Sequence, residues 1–417
     1  MTSREVDRIH DVEHRSGSRA AVERGHWRPW LDSHLNRELG VGALPRGWRD
    51  PPSRVAIDIL LEELGQPQRR YDRIGIDGAP ITDQALARLF ARIAAAETKM
   101  SLALSWFEVV TAAAMMWFAW QKVDLAVVEV GLGGEHDATA VAMPALVALT
   151  NIDLDHTELF GTTRPDVASA ESTIVTAGHG LVLGESDPSL RGCFTRRRPH
   201  PLWVRGVDFG VSERASTSKG QVITLETPAA SYRAVSIVPS GVQHAENVSI
   251  ALMVAECATR SIPGPVVREV LSVLRSPGRV ELVCAEPRVL VDGAHNPAGA
   301  RALAATLSES FPGDRRTYVI GTSVDKPAAE IVAALGIRPS DEVVCCSASS
   351  PRALPAADLL EIVRTASPSS ATEAVGGVRD AVRRAVDSLP RPGLVVVTGS
   401  LYVVAEARRL FRNPIGP

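Results

Sequence analysis

The residues best suited to chemistry follow two short apolar runs near the middle of the chain. Residues 125–130 and 145–150 are apolar and rich in valine and leucine, so each run predicts a buried parallel strand. Polar side chains and glycines lie at the ends of the two runs: Glu129 near the end of the first, with glycines at 131, 133 and 134 after it, and Asn151, Asp153, Asp155 and His156 after the second. Ligands gather at the carboxyl ends of parallel strands, and these groups suit Mg²⁺ or Mn²⁺ near a phosphate or carboxylate.

Both features also have a purely structural explanation. A Gly-Leu-Gly-Gly sequence after a strand often forms only a tight turn, and a lone acid at a strand end often caps a helix. The pattern by itself leaves the metal site and the structural explanation equally open.

The composition restricts the class of protein. The 417 residues are 45% hydrophobic and 22% charged, which is typical of a globular chain with two or three domains. The net charge of -3 predicts neither a nucleic-acid partner nor binding to an anionic membrane. The five cysteines include no Cys-x-x-Cys pair and the first residues form no apolar leader, so we expect a cytoplasmic location.

Helices and a hairpin are predicted around the first site residues. The spacing of apolar residues predicts helices over residues 53–65, 82–96, 106–121 and 163–176. Asp77-Gly78 predicts a hairpin turn. The helix over 106–121 is apolar on all sides, so we expect it to be buried.

The second half of the chain changes pattern twice. Residues 204–238 predict a region rich in strands and turns, residues 246–259 and 265–274 predict helices, and Ser-Pro-Gly-Arg at 276–279 predicts a domain boundary. Beyond it, strands and helices alternate, which predicts βα units on a parallel sheet. The predicted strands are 289–291, 318–321, 342–346 and 394–398, and the predicted helices are 298–309, 328–335, 356–366 and 377–388.

Seven motifs in a fixed order resemble those of the folylpolyglutamate synthase/dihydrofolate synthase family of the Mur ligase superfamily. They are VEVGLGGEHDAT (128–139), TNIDLDHTELFGTT (150–163), PGRVELV (277–283), VDGAHNPAGARALA (291–304), GTSVDKP (321–327), PRALPAADL (351–359) and VTGSLYVVAEAR (397–408). The resemblance implies an α/β protein with a Mur-ligase-like three-layer N-terminal domain and a Rossmann-like C-terminal domain. We expect an N-terminal arm at 1–52, a central domain at 53–275 and a C-terminal domain at 280–417.

The resemblance also implies a reaction. Family members phosphorylate a carboxylate with ATP and Mg²⁺, and an amino acid amine then attacks the acyl phosphate to give an amide and ADP. Metal and cationic groups neutralise charge on the transferring phosphoryl group. The implied partners are a small-molecule carboxylate and an amino acid, and the oligomeric state stays open.

Each matched position acquires an expected role from this resemblance. The expected metal ligands are Glu129 and His156, with Glu171 in place of a carbamylated lysine. The expected nucleotide contacts are Asn247, Arg279 and Asp292, and the expected contacts on the amine side are His295, Asn296 and Ser323. Phe107, Glu108 and Thr111 match the segment on the pterin-carboxylate side, and His295, Asp292 and Glu129 are the expected catalytic residues. Asp292 and His295 could instead cap the following helix, and Arg279 could be a linker charge.

The chain departs from the family at the phosphate loop. The family has Gly-Thr-Asn-Gly-Lys-Gly-Ser there, whereas residues 42–53 read GALPRGWRDPPS, and no Gly-x-x-x-x-Gly-Lys-Ser/Thr motif occurs in the 417 residues. The glycine amides and the lysine that hold a triphosphate are therefore missing from the sequence. Glu171 follows Ala170 where the family has Glu-Lys, and Gln243-His244 replaces His-Gln.

Three functions remain open on the sequence. The first is a repurposed amide ligase, in specialised metabolism, that uses ATP in an altered pose. The second is an enzyme that catalyses a hydrolytic, cyclising or transfer reaction without ATP. The third is a non-catalytic pseudoenzyme or binding protein, which includes a hetero-oligomer whose partner supplies the missing loop. The residues expected at the metal site and in the C-terminal domain still match the family. This favours a repurposed protein over an enzyme that has lost its function.

Overall fold

The structure is a computed structural model that describes residues 55–58, 74–142, 144–154, 156–217, 219–368, 370–390 and 392–412. The predicted arm at 1–52 and Asp155 lie outside these residues. The described residues fall into two compact units. One contains the residues up to 149 together with 157–202, and the other contains 150–156 together with the residues from 203 onward.

Two small sheets occupy the part of the chain before residue 205. The first has the order β3-β2-β1-β4 and the second has the order β5-β6-β7. Strand β1 is parallel to β4, and β5 is parallel to β6. The strands are β1 (Val55–Asp58), β2 (Gly75–Ile76), β3 (Ala79–Pro80), β4 (Leu125–Val128), β5 (Leu146–Leu149), β6 (Gly180–Leu183) and β7 (Leu202–Val204).

The helix predicted over residues 53–65 is wrong where the structure describes it. Residues 55–58 form β1, with Val55 opposite Leu125 and Asp58 opposite Val128. Val55 and Ile57 are β-branched and favour a strand, and pairing with β4 satisfies the backbone groups that a helix would otherwise bond internally. The remainder of the predicted helix lies outside the described residues.

Most other local predictions before residue 205 are confirmed. The helix predicted over 163–176 ends at Glu171 and continues only as a 3-10 turn to Ile174, and the first predicted strand is not buried, since Val127 is 44% exposed. Asp77 and Gly78 have φ values of 53° and 77°, as a tight hairpin turn requires. Thr82 caps the first helix by accepting a hydrogen bond from the Ala85 amide at 3.3 Å. The helices here are α1 (Asp83–Met100), α2 (Trp106–Gln121), α3 (Thr157–Phe160), α4 (Arg164–Glu171) and α5 (Arg191–Thr195). Helix α2 is buried over most of its length, and no helix in the described residues is long and apolar enough to cross a bilayer.

An antiparallel sheet and two helices follow. Strands β8 (Gly210–Thr217), β9 (Gly220–Glu226) and β10 (Ser231–Ile237) have the order β10-β9-β8. Helices α6 (Val242–Thr259) and α7 (Gly264–Ser272) cover this sheet, and their apolar residues share one core with it.

The C-terminal sheet has six strands in the order β11-β12-β16-β13-β14-β15. Every pairing in it is parallel except the antiparallel pair β11 and β12. The elements are β11 (Glu281–Ala285), β12 (Arg288–Val291), α8 (Pro297–Ser310), β13 (Arg315–Ile320), α9 (Ala328–Ala334), β14 (Glu342–Ser347), α10 (Ala356–Ala366), β15 (Ala371–Gly377), α11 (Val378–Ser388), β16 (Gly393–Thr398) and α12 (Leu401–Arg412). Apolar cores lie on both faces of this sheet. The parallel pairings and the alternating helices confirm the predicted βα arrangement.

Candidate functional site

Three parallel strands of the C-terminal sheet end at one edge. Strands β12, β16 and β13 are neighbours in that order, so the residues that follow them lie at the same edge. The Asp292 amide donates to Val397 O at 2.9 Å, and the Gly399 amide donates to Ala294 O at 3.0 Å. These bonds continue the sheet beyond β12 and fix the position of the Asp292 backbone.

Asp292 is a buried carboxylate that organises the backbone around it. It is 7% exposed. Its Oδ2 accepts from the Val280 amide at 2.8 Å and its Oδ1 accepts from the Ala294 amide at 2.9 Å. Burial raises the pKa of Asp292, while the two amide hydrogen bonds and the charges of Arg279 and His295 oppose that rise. Asp292 therefore joins the 276–280 turn to the end of β12.

Helix α8 is capped by Asn296, so Asp292 and His295 do not serve as its cap. The Asn296 Oδ1 accepts from the Gly299 amide at 2.8 Å. The Nδ1 of His295 lies 2.9 Å from Gly293 O. A carbonyl oxygen only accepts, so this nitrogen carries the proton.

The Arg279 side chain lies against the backbone of Gly293. A Cβ atom added to Gly293 would be 3.1 Å from Arg279 Nη1, and the charge of Arg279 acts on both Asp292 and His244. Burial and then Arg279 lower the pKa of His244 to about 4. Within the described part of the chain, no carboxylate lies within salt-bridge distance of the Arg279 guanidinium.

The loops that carry Ser323 and the Pro351–Leu359 motif lie together. Ser323 forms a backbone bridge with Ala353, and the Val324 amide donates to Arg352 O at 2.9 Å. The Asp325 carboxylate accepts from Arg352 at 2.6 Å. The structure therefore brings two of the separate sequence motifs into contact at the carboxyl end of β13.

The loop after β5 contacts helix α8. Arg301 Nη2 lies 3.5 Å from Asp153 Oδ2, so the acidic loop lies near the helix that Asn296 caps. His156 closes that loop with a φ of 49°, a left-handed conformation that is uncommon for residues other than glycine. Asn247 is exposed on α6.

The glycine-rich turn after Glu129 is closely packed. A Cβ atom on Gly131 would overlap the Phe107 ring, and one on Gly134 would overlap Thr173 and Ile174. Glu129 itself is exposed at the end of β4. The turn therefore needs glycine for close approach, which supports the structural explanation of these residues.

Asp137 organises this turn, and sequence reasoning missed it. Its Oδ2 accepts from the Leu132 amide at 2.9 Å, and its Oδ1 accepts from the Thr139 amide at 2.9 Å and from the Thr139 hydroxyl at 2.5 Å. The available signal was Asp-Ala-Thr after a glycine run, because aspartate readily accepts from amides a few residues away. Burial and then the Asp137 charge raise the pKa of Glu171 to about 6.

The three residues expected on the pterin-carboxylate side lie on α2. Glu108 forms a capping box in which the Ser105 amide donates to Glu108 Oε2 at 2.6 Å. Phe107 packs on Gly131, and Thr111 is 1% exposed. The Thr111 hydroxyl has no hydrogen-bond partner among the described residues.

The described residues contain no cluster of side chains that would hold a metal ion by itself. No three His, Cys, Asp or Glu side chains in that part of the chain lie close enough to hold a metal ion. Both Asp137 oxygens already accept hydrogen bonds. Mg²⁺ is commonly held by one or two carboxylates together with substrate phosphates, so phosphate oxygens would have to complete its coordination here.

The comparison of sequences identifies a domain and full-length relatives. A family model described as Mur ligase, glutamate ligase domain, matches residues 278–401. The dihydrofolate synthase/folylpolyglutamate synthase of Mycobacterium tuberculosis is 32% identical over 448 aligned residues, which cover 88% of this chain and 91% of that protein. Relatives from Haloferax volcanii and Halobacterium salinarum, each named a probable bifunctional folylpolyglutamate synthase/dihydropteroate synthase, are 32% and 33% identical, but the chain spans only 45% and 42% of their length.

Solved structures agree with the sequence relatives. Mycobacterium tuberculosis folylpolyglutamate synthase complexed with ADP has a TM-score of 0.78 and 30% identity, over 86% of this chain and 84% of that chain. Escherichia coli FolC in complex with DHPP and ADP has a TM-score of 0.75 and 25% identity, over 86% and 82%. These matches confirm the predicted Mur-ligase-like α/β architecture, and the chain belongs to the folylpolyglutamate synthase/dihydrofolate synthase family.

Proposed function

We propose that the protein is an amide ligase that uses ATP to join an amino acid amine to the carboxylate of a folate-like acid. One observation carries this proposal. Buried Asp292 holds the backbone on both sides of it, and the Arg279 guanidinium lies against Gly293 beside it. Such a cationic side chain on a fixed backbone is suited to bind the phosphates or ribose-phosphate of a nucleotide.

The proposal gives each of the expected site residues a role in binding one substrate. Arg279 and Asp292, with Asn247, form the nucleotide side, and His295, Asn296 and Ser323 form the amine side. Glu129, His156 and Glu171 contribute to the Mg²⁺ of a bound MgATP, which neutralises phosphate charge when it is present. Phe107, Glu108 and Thr111 shape the side that receives the acid. In this proposal the substrates are a folate-like carboxylate and glutamate, in keeping with the names of the relatives.

Product formation tests the proposal. The purified protein is incubated with MgATP, glutamate and either dihydropteroate or a reduced folate, and ADP and the amide product are measured. We expect ADP and amide in equal amounts, and Arg279→Ala is expected to reduce the rate at least tenfold. Absence of amide with every acid, in a protein that remains folded, would contradict the proposal.

A second candidate is an activity that does not use ATP. It is favoured by one sequence observation: none of the four lysines follows a glycine, so the lysine of a phosphate loop is missing from the chain. In that case His295→Ala would abolish a hydrolytic or transfer reaction measured without nucleotide, and added ATP would change neither the rate nor the products. The ATP-dependent assay therefore separates the two candidates.

A further inference from the structure

The turn at residues 276–280 has a strained backbone. Gly278 has a φ of 70°, which glycine adopts easily, but Val280 has a φ of 45°. A β-branched side chain is a genuine outlier in this region because its Cβ substituents crowd the backbone. Such a conformation persists only where the surroundings hold it, and it is typical of functional sites.

Each of three successive amides in the turn has a defined acceptor. The Gly278 amide donates to Glu281 Oε2 at 2.7 Å. The Arg279 amide donates to Ser276 O at 3.0 Å, and the Val280 amide donates to Asp292 Oδ2 at 2.8 Å. Gly278 O accepts from the Gly293 amide at 2.8 Å. The Glu281 and Asp292 carboxylates therefore hold the amides on either side of Arg279 and fix the turn.

The Glu281 carboxylate is itself held by a buried arginine. Arg408 on α12 donates through Nε to Glu281 Oε2 at 2.6 Å and through Nη2 to Glu281 Oε1 at 3.1 Å. The Arg408 side chain is 7% exposed and that of Glu281 is 30% exposed. A two-point pair of this kind fixes orientation as well as distance. Helix α12, near the C-terminus of the described chain, thus reaches the Gly278 amide through one carboxylate.

We propose that Glu281 and Arg408 are positioning residues for Arg279. Arg408 orients the Glu281 carboxylate, the carboxylate holds the Gly278 amide, and the fixed turn places the Arg279 guanidinium over Gly293. This inference rests on the proposed function only for what Arg279 binds, namely the phosphates of ATP. The geometry of the turn itself is independent of that function.

The first test measures nucleotide affinity. MgATP is titrated calorimetrically into the full-length protein and into Glu281→Ala, Glu281→Gln and Arg408→Lys. Glutamine retains an oxygen that can accept from the Gly278 amide, so we expect Glu281→Gln to bind within threefold of the unmodified protein and Glu281→Ala to bind at least tenfold more weakly. Arg408→Lys retains one of the two donors and is expected to lie between them. Equal affinity in Glu281→Ala and the unmodified protein would overturn the proposal.

The second test needs no nucleotide. Arg279 contributes to the low pKa of His244, so the imidazole reports the position of the guanidinium in an NMR titration. We expect Glu281→Ala to raise the pKa of His244 in the same direction as Arg279→Ala does, by about 0.5 unit. An unchanged His244 in a folded Glu281→Ala protein would overturn the positioning role, whether or not ATP binds.

A matched control is available in the same sheet. Arg288 donates to Asp314 at 2.5 Å, and the Asp314 side chain is 11% exposed, while the hydrogen bonds that hold the 276–280 turn involve neither residue. Asp314→Asn should change neither the ATP affinity nor the His244 titration. If the unmodified protein binds no ATP while Glu281→Ala still shifts His244, the proposed function fails and the positioning role stands.

Discussion

At the scale of single residues, Asp292 and Asp137 both lie beside motif glycines and both hold the backbone through hydrogen bonds. The sequence alone does not distinguish such a structural role from a chemical one. Asp137 accepts from backbone amides two and five residues away, whereas Asp292 accepts from one amide two residues away and from another twelve residues away. Asn296 caps the helix for which the sequence also offered Asp292 and His295 as caps. A motif therefore predicts that an acid is important, but only the hydrogen-bond partners reveal which atoms it fixes.

His244 is expected to make the protein sensitive to acid. Its pKa falls from 6.5 to about 4 on folding, so between these values the unfolded chain binds a proton that the folded chain does not. The contribution is fully present above pH 6.5 and is lost as the pH falls through this window. At about pH 5 the loss should reach about 2 kcal/mol.

The measurement is urea unfolding of the unmodified protein and His244→Gln at about pH 7 and about pH 5. The free energy of unfolding should fall less for His244→Gln than for the unmodified protein over this interval. Equal losses for the two proteins would show that folding does not lower the pKa of His244.

Tyr232 should contribute to stability through a buried acid. It is 3% exposed, and its hydroxyl lies 2.5 Å from Glu256 Oε1 and 3.0 Å from Ile262 O. Tyr232→Phe leaves the buried Glu256 carboxyl without this partner and should lower the free energy of unfolding by about 1–3 kcal/mol. Combining it with Glu256→Met removes both polar groups and should restore part of the loss in urea unfolding. If the double variant lost more unfolding free energy than the two single variants lose together, this explanation would be wrong.

At the scale of elements, the glycine-rich turn after β4 should tolerate no side chain at Gly134. An added Cβ atom would overlap Thr173 Oγ1 and the Ile174 amide, so Gly134→Ala is expected to cost about 1–3 kcal/mol in thermal or urea unfolding. Gly192 on α5 is the matched control, because nothing lies within 4 Å of its added Cβ. Gly192→Ala should be neutral or stabilising by up to about 1 kcal/mol. A neutral Gly134→Ala would show that the turn relaxes.

Elements with a strong local signal could be predicted from the sequence, and elements without one could not. Helix α2 is found at the predicted residues because Ser105 caps it and its apolar run is long. Strands β11 and β15 are sheet edges with mixed burial, so they lack a buried apolar run. Residues 55–58 form a strand because β4 pairs with them, and helical spacing in the sequence cannot reveal a partner 70 residues away.

At the scale of the whole molecule, the motifs predicted that separate segments would meet, but not through which atoms. Arg279 and Asp292 are 13 positions apart and meet through the Val280 amide. The Asp153 loop and Arg301 are far apart in sequence and meet through one ion pair. The strained φ of Val280 and the Glu281–Arg408 pair carry no sequence signal, because they depend on the tertiary path of α12.

Whether Arg279 and Asp292 form a nucleotide site is measured by calorimetric titration of the purified protein with MgATP. We expect saturable binding through the Arg279–Asp292 turn, despite the missing Gly-Lys motif, and at least tenfold weaker binding in Arg279→Ala and in Asp292→Ala. The Asp314→Asn protein, folded and with an intact turn, should bind like the unmodified one. Binding that is equal in all four proteins, or no binding at millimolar ATP, would contradict the proposed nucleotide site.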